Sequence, residues 1–319
     1  MAAFPESMAD AKDFFRTLAP GQVCRVLVLD VVTGQTELVH ESAETLFEAP
    51  NWAHDGDLIL NGAGLLWRLS PTPGSEPVHI PIEGIPALNN DHVLANDGET
   101  IYVSANDWQI YAAPLAGGIG RLVTSPDDGR MHFLHGITPD DSTLAYIGLE
   151  PEGENWMVPG NVYEIGVDGT PGRQLTAGGS PTDGSEYSPD GDWVYVNTEA
   201  FSTAAGHAQI GRMPAAGGAL EQLTFDDRVN WFPHLSPDGR YCVYLSYPTG
   251  TIGHPPDLPV ELRLVTDGDW SSAATIVSLF GGQGTINVNS WSLDGRRLAY
   301  VEYSRPTSGA AAGPLTAEV

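Results

Sequence analysis

The sequence predicts an all-β fold, a six-bladed β-propeller of four-stranded blades over residues 22–304. Three observations predict it. A turn followed by an apolar strand recurs six times, the step between repeats is the size of one blade, and the two ends of the chain carry complementary halves of a blade.

The repeat centres on Asp55, Asp97, Asp140, Asp190, Asp238 and Asp294, with steps of 42, 43, 50, 48 and 56 residues. Its fullest form is Ser188-Pro189-Asp190-Gly191 before DWVYVNTE, and Ser236-Pro237-Asp238-Gly239 before RYCVYLSY. Proline presets φ at the first central position, Asp tolerates tight geometry, and Gly supplies φ > 0. The following strand alternates, as in Tyr241, Val243 and Leu245. Two more strand-like runs complete each unit, for example NVYEIGV then GRQLTA. Residues 23–40 read as the last two strands of a blade without a first pair. Residues 286–304 read as a first pair without a second. Joining them closes the ring and leaves no long edge. Residues 1–21 read as a helical extension outside the ring, with ADAKDFF in it, and residues 305–319 as a loose tail.

Composition narrows the partners. The chain has 319 residues, 14 Lys+Arg against 41 Asp+Glu, and a net charge of −27. A nucleic-acid binder would carry a basic stripe, and an anionic membrane surface would repel this chain. Hydrophobic content of 41% excludes disorder. Two cysteines, Cys24 and Cys242, read as reduced structural thiols. No apolar run reaches membrane-spanning length, and residues 1–18 lack a basic leader with an apolar core, so a cytoplasmic location is expected. Phosphate loops, GxSxG elbows, CxxC pairs and dinucleotide fingerprints do not occur.

The SPDG turns before apolar strands, with LT-containing and aromatic segments ahead of them, resemble the TolB-like six-bladed propellers over about residues 22–304. The resemblance implies the fold and is weak for function. The TolB-like superfamily includes the oligogalacturonate lyases. Their metal site uses histidines and a glutamine at the centre of one face.

In a propeller, the residues just ahead of each Asp turn meet at one mouth of the channel. Aligning the units on their turns places Asn51, His92, His135, Glu186, His234 and Asn289 there, with Gln283, Asp183 and Trp231 slightly earlier. The loops after the second strand are long in units three, four and five and bring Glu154, Trp156, His207 and His254 to the same face. Histidines, carboxylates and amides from several blades suit a divalent ion, Mn, Ca or Zn. The alternative is that they cap strand ends. Arg130 and Arg228 precede the histidines and could grip a carboxylate, or could simply pair with neighbours such as Asp226 and Asp227. Trp156 and Trp231 could stack on a sugar ring.

These positions support a metal-dependent lyase acting on a small acidic carbohydrate of the uronate type. His135 would be the base, with Glu186 as a second catalytic group. His234, His254 and Gln283 would hold the ion, while Asn51, His92, Arg130, Trp156, Arg228, Trp231 and Asn289 would bind substrate. Hydrolysis would use the same groups. The alternative is a non-catalytic propeller that binds a protein or small ligand, and a Tol–Pal accessory role would further require export.

Overall fold

The computed structural model describes residues 14–153, 155 and 158–305. The predicted ring is present. Five blades are four-stranded sheets of locally consecutive strands, with inner strands Phe47–Trp52, Leu88–Leu94, Met131–Ile137, Thr182–Tyr187 and Val229–Leu235. The sixth blade closes the ring. Cys24–Asp30 pairs with Arg297–Tyr303 from Cys24↔Tyr303 to Asp30↔Arg297, and with Thr36–Ser42 on its other side. Its innermost position is held irregularly by residues 285–291, through the Trp291↔Leu298 bridge and the Ala299 N to Ser290 O bond of 2.9 Å.

The turns behave as their chemistry requires. Ser188 Oγ donates to Asp190 Oδ1 at 2.5 Å, Trp193 N donates back to Ser188 Oγ at 3.0 Å, and Gly191 takes φ +76°. Unit three has no glycine at this place, and Asp141 adopts φ +57° instead.

Apolar–polar alternation was expected along the second strands, but both of their faces are buried. Leu144 and Tyr146 pack towards blade two, while Ala145 and Ile147 pack towards blade four. Among the described residues six such clusters occur, one between each adjacent pair of blades. A propeller sheet is covered on both sides by its neighbours, so the strand carries two apolar faces. Each fully buried Leu, Ile or Val there contributes about 1.5–3 kcal/mol. Cys24 and Cys242 are buried free thiols in different clusters.

The expected helix falls almost wholly on residues 1–13, outside the described residues. The tail beyond Arg305 is outside them too. Residues 14–19 are non-helical, and they do not stand clear of the ring: Arg16 enters the channel mouth.

Candidate functional site at the channel mouth

Every inner strand of blades one to five carries a bulge at the same level. The register slips between Glu48 and Asn51, Leu88 and His92, Leu134 and Gly136, Asp183 and Glu186, and Trp231 and His234. Ala49, Gly184 and Phe232 sit inside three of them at φ of 52°, 65° and 54°. A bulge breaks the ladder and re-aims side chains. The polar residues therefore separate into two sets.

The residues after the bulge join blades. Glu186 accepts from His234 Nδ1 at 2.6 Å, from Leu235 N at 2.8 Å and from Asn289 Nδ2 at 2.9 Å. His234 Nε2 bonds Ile286 O at 2.6 Å. His92 Nδ1 lies 2.6 Å from Asn61 Oδ1, and burial depresses the His92 pKa to about 3, keeping it neutral. Asn51 is buried. His234 and Glu186 thus have their polar atoms committed inside the wall. To act as an ion ligand and a catalytic group, as expected from the sequence, His234 and Glu186 would have to give up these bonds.

The residues at and before the bulge form the mouth, and they make one polar arc. His135 Nε2 lies 2.9 Å from Asp183 Oδ1. Asp183 Oδ2 faces His254 Nε2 at 3.9 Å. His254 Nδ1 bonds Gln283 Oε1, and Gln283 Nε2 donates to Asn90 Oδ1 at 3.2 Å. Asn90 Nδ2 donates to Glu48 Oε1 at 3.3 Å, and Arg16 Nη1 donates to the same oxygen at 2.5 Å and to Gln283 O at 2.6 Å. Trp231 and Phe232 wall the arc, with ring centroids 4.4 and 5.2 Å from that of His254. Asp183 and His254 keep 24% and 28% of their side-chain surface exposed, so the arc is reachable from solvent.

Its electrostatics are acidic. Burial pushes the Asp91 carboxyl up to about 7, helped by Asp183 and Glu48 and opposed by His135. Burial would lower the His135 pKa, but Asp183, Asp91 and Glu186 outweigh it and hold it above the usual value. Burial likewise would raise Asp183, and His135 overcomes it and keeps the carboxyl low. Burial depresses His254 despite Asp183. The result is a buried His135–Asp183 ion pair. Its His135 Nδ1 has no hydrogen-bond partner among the described residues. Such a pair can orient an imidazole and move a proton.

The remaining expected residues are elsewhere. Arg130 pairs with Asp128 and Glu150 and covers the Tyr163 ring at 4.6 Å. Arg228 donates to Ser246 and pairs with Glu261 at 3.4 Å. Both are tied to neighbours, the alternative expected for them beside a role in gripping substrate. His132 and His207 hold loops through Trp108 O and Asp226 O. Glu154 and Trp156 lie outside the described residues.

The donor set does not fit a resident metal. His234 is committed to the wall, while His254 and Gln283 are bonded to each other. Among the described residues no three His, Cys, Asp or Glu side chains converge as ligands for one ion.

Sequence reasoning missed Arg16, Glu48, Asn90 and Asp91. A signal existed for two of them. Glu48, Asn90, Asp183 and Trp231 each stand seven residues before the Asp of their turn, at Asp55, Asp97, Asp190 and Asp238. The alignment two or three residues ahead of the turn sampled the far side of the bulge.

No family model matches the chain. It is 36% identical over 281 residues to an uncharacterized protein of Agrobacterium fabrum, covering 86% of this chain and 91% of that one. A structure of a candidate TolB from Agrobacterium tumefaciens superposes with a TM-score of 0.80 at 34% identity, over 89% of this chain and 99% of that chain. An oligogalacturonate lyase in complex with manganese superposes with a TM-score of 0.52 at 12% identity, over 82% and 75%, and shares the fold.

Proposed function

The chain belongs to the TolB-like six-bladed β-propeller family, and from that premise we propose that it is a binding propeller whose ligand seat is the polar mouth of the channel. The observation that supports this reading is the arc from His135 through Asp183, His254 and Gln283 to Asn90 and Glu48. Amides and charged groups from five blades and one loop meet there beside Trp231, at a place solvent reaches. A rigid scaffold bringing sequence-distant polar groups to one partly open, aromatic-walled spot is the usual build of a small-ligand site. The test is a thermal-shift and calorimetric screen of peptides, amines, sugars and uronates against the full chain. A ligand that stabilises the wild type, and is lost by His135→Ala and by Asp183→Asn while Arg130→Ala retains it, is expected. A ligand unaffected by both mouth variants overturns the reading.

One observation favours a second reading, the lyase acting on a small acidic carbohydrate. His135 carries a carboxylate partner on Nε2 and an uncommitted Nδ1. In this reading the neutral form of His135, reached as pH rises above its raised pKa, takes up through Nδ1 the proton next to the uronate carboxylate, and Asp183 keeps the imidazole oriented. Glu186 takes no part, because its oxygens are committed to the wall. The test is ultraviolet detection of an unsaturated product from uronate oligomers, with and without added manganese. Product that disappears in His135→Ala supports catalysis, and no product under either condition removes it.

A further inference from the structure

We infer that the rim of the mouth around Glu48 is a guanidinium seat that takes the arginine side chain of an extended peptide, and that Arg16 of the chain's own N-terminal segment occupies it in cis. The inference rests on the channel-mouth reading and names its ligand class.

The seat has the parts that an arginine side chain needs. A carboxylate and a carbonyl, Glu48 Oε1 and Gln283 O, both accept from Arg16 Nη1. The Tyr303 ring lies under the guanidinium at 5.1 Å, the arrangement of a cation–π contact. Asn90 donates to the same Glu48 oxygen at 3.3 Å and helps hold the carboxylate in place. Close packing leaves room for this set only because residue 284 is glycine at φ +92°. A β-carbon there would fall 2.5 Å from Glu48 Oε1 and 2.6 Å from the Tyr303 hydroxyl. The Tyr247 hydroxyl is buried without a hydrogen-bond partner among the described residues, and Arg16 acts on it electrostatically. That hydroxyl is a further polar group available to an occupant.

Outside this one side chain, much of the occupant lies at the surface. Phe15, Thr17 and Pro20 are exposed, and no residue from 14 to 20 is fully buried. Beyond Arg16, Asn106 donates to Phe14 O, and Leu18 packs on the cluster between blades six and one. A segment with few buried contacts opens locally at low cost. Removal of Arg16 would leave the Glu48 carboxylate without its cation, near the buried Asp91 carboxyl, in a chain of net charge −27. Such a mouth draws a cation and repels an anion.

The experiment uses the full chain and two probe peptides, acetyl-Phe-Phe-Arg-Thr-Leu-amide and the same peptide with Ala for Arg. In the wild type the tethered Arg16 competes at high effective concentration. Arg16→Ala removes that competitor, so the Arg peptide is expected to bind the variant at least about tenfold more tightly than the wild type. The Ala peptide is expected to bind neither, and Glu48→Gln added to Arg16→Ala is expected to lose about tenfold in affinity for the Arg peptide. Arg16→Gln, which keeps part of the stem and a polar end without the charge, gives the same comparison if the alanine variant does not fold. Equal binding of the two peptides, or equal affinity of wild type and variant, overturns the seat. If the Arg peptide fails while another ligand is still lost by His135→Ala, the guanidinium seat falls and the channel-mouth reading stands.

Discussion

The polar residues four or five positions ahead of each Asp turn and those seven positions ahead line one channel, but they do different work. Glu186, His234 and Asn289 have their polar atoms bonded and join blade to blade, and His92 joins its neighbour through Nδ1 while its Nε2 has no partner among the described residues. Glu48, Asn90 and Asp183, with His135, His254 and Gln283, make a chain of polar contacts across blades, and Asp183 and His254 keep part of their surface open to water. The same residue types therefore brace the wall in one set and line the mouth in the other. What separates them is the bulge, which commits the first set to the ladder side and turns the second to the mouth.

Three substitutions would break or sharpen that contrast. The largest effect is expected for His234→Ala. It leaves the Glu186 carboxylate buried without its 2.6 Å partner and Ile286 O without a donor, and breaking a buried pair in this way costs about 3–5 kcal/mol. Urea denaturation should show that loss, and a stability within 0.5 kcal/mol of wild type, roughly the level of a surface change, would put His234 outside the wall.

Asp91→Asn is expected to act mainly through pH. The folded state raises this carboxyl from its ordinary 3.8 to about 7, so the folded protein holds the proton more tightly than the unfolded chain. Stability from this group is present at low pH and falls as pH rises between about 4 and 7. Asn carries no such proton. Melting curves from pH 4.5 to 8 should fall less steeply in the variant than in the wild type, and parallel curves would remove Asp91 from the mouth's electrostatics. The His135 contribution has the same sign, because its pKa is also raised.

The smallest effect is expected for Arg130→Ala. Its ion pairs to Asp128 and Glu150 are part-exposed, worth about 0–1 kcal/mol together, and distant in function from the arc. A melting temperature near wild type and unchanged ligand binding are the expected outcome. Loss of binding would return the substrate-gripping role to this arginine.

The ring and its closure were legible because turns and strands are local. The Ser-Pro-Asp-Gly turns bond to themselves, as at Ser188 and Asp190, and the apolar strands follow directly. The end of the channel where polar side chains converge was legible too, since His135, His254 and Gln283 do meet there. The division of labour within it was not. Whether a polar residue faces the next blade or the mouth depends on bulges, and these arise from how an inner strand fits its neighbour. Glu48 and Asn90 were visible at their constant distance from the turn, but only a known bulge gives that distance meaning.

By itself the sequence determined an acidic six-bladed propeller with a polar mouth. It did so because period, turn chemistry and charge are properties of contiguous residues. Tertiary structure alone decided that Glu186 and His234 belong to the wall, that Arg130 and Arg228 are held by their own blades, and that Arg16 reaches Glu48 across 32 residues of chain. Such pairings form where separate blades converge on one axis. The choice among an arginine's possible acid partners rests on distance and burial, which sequence separation does not encode.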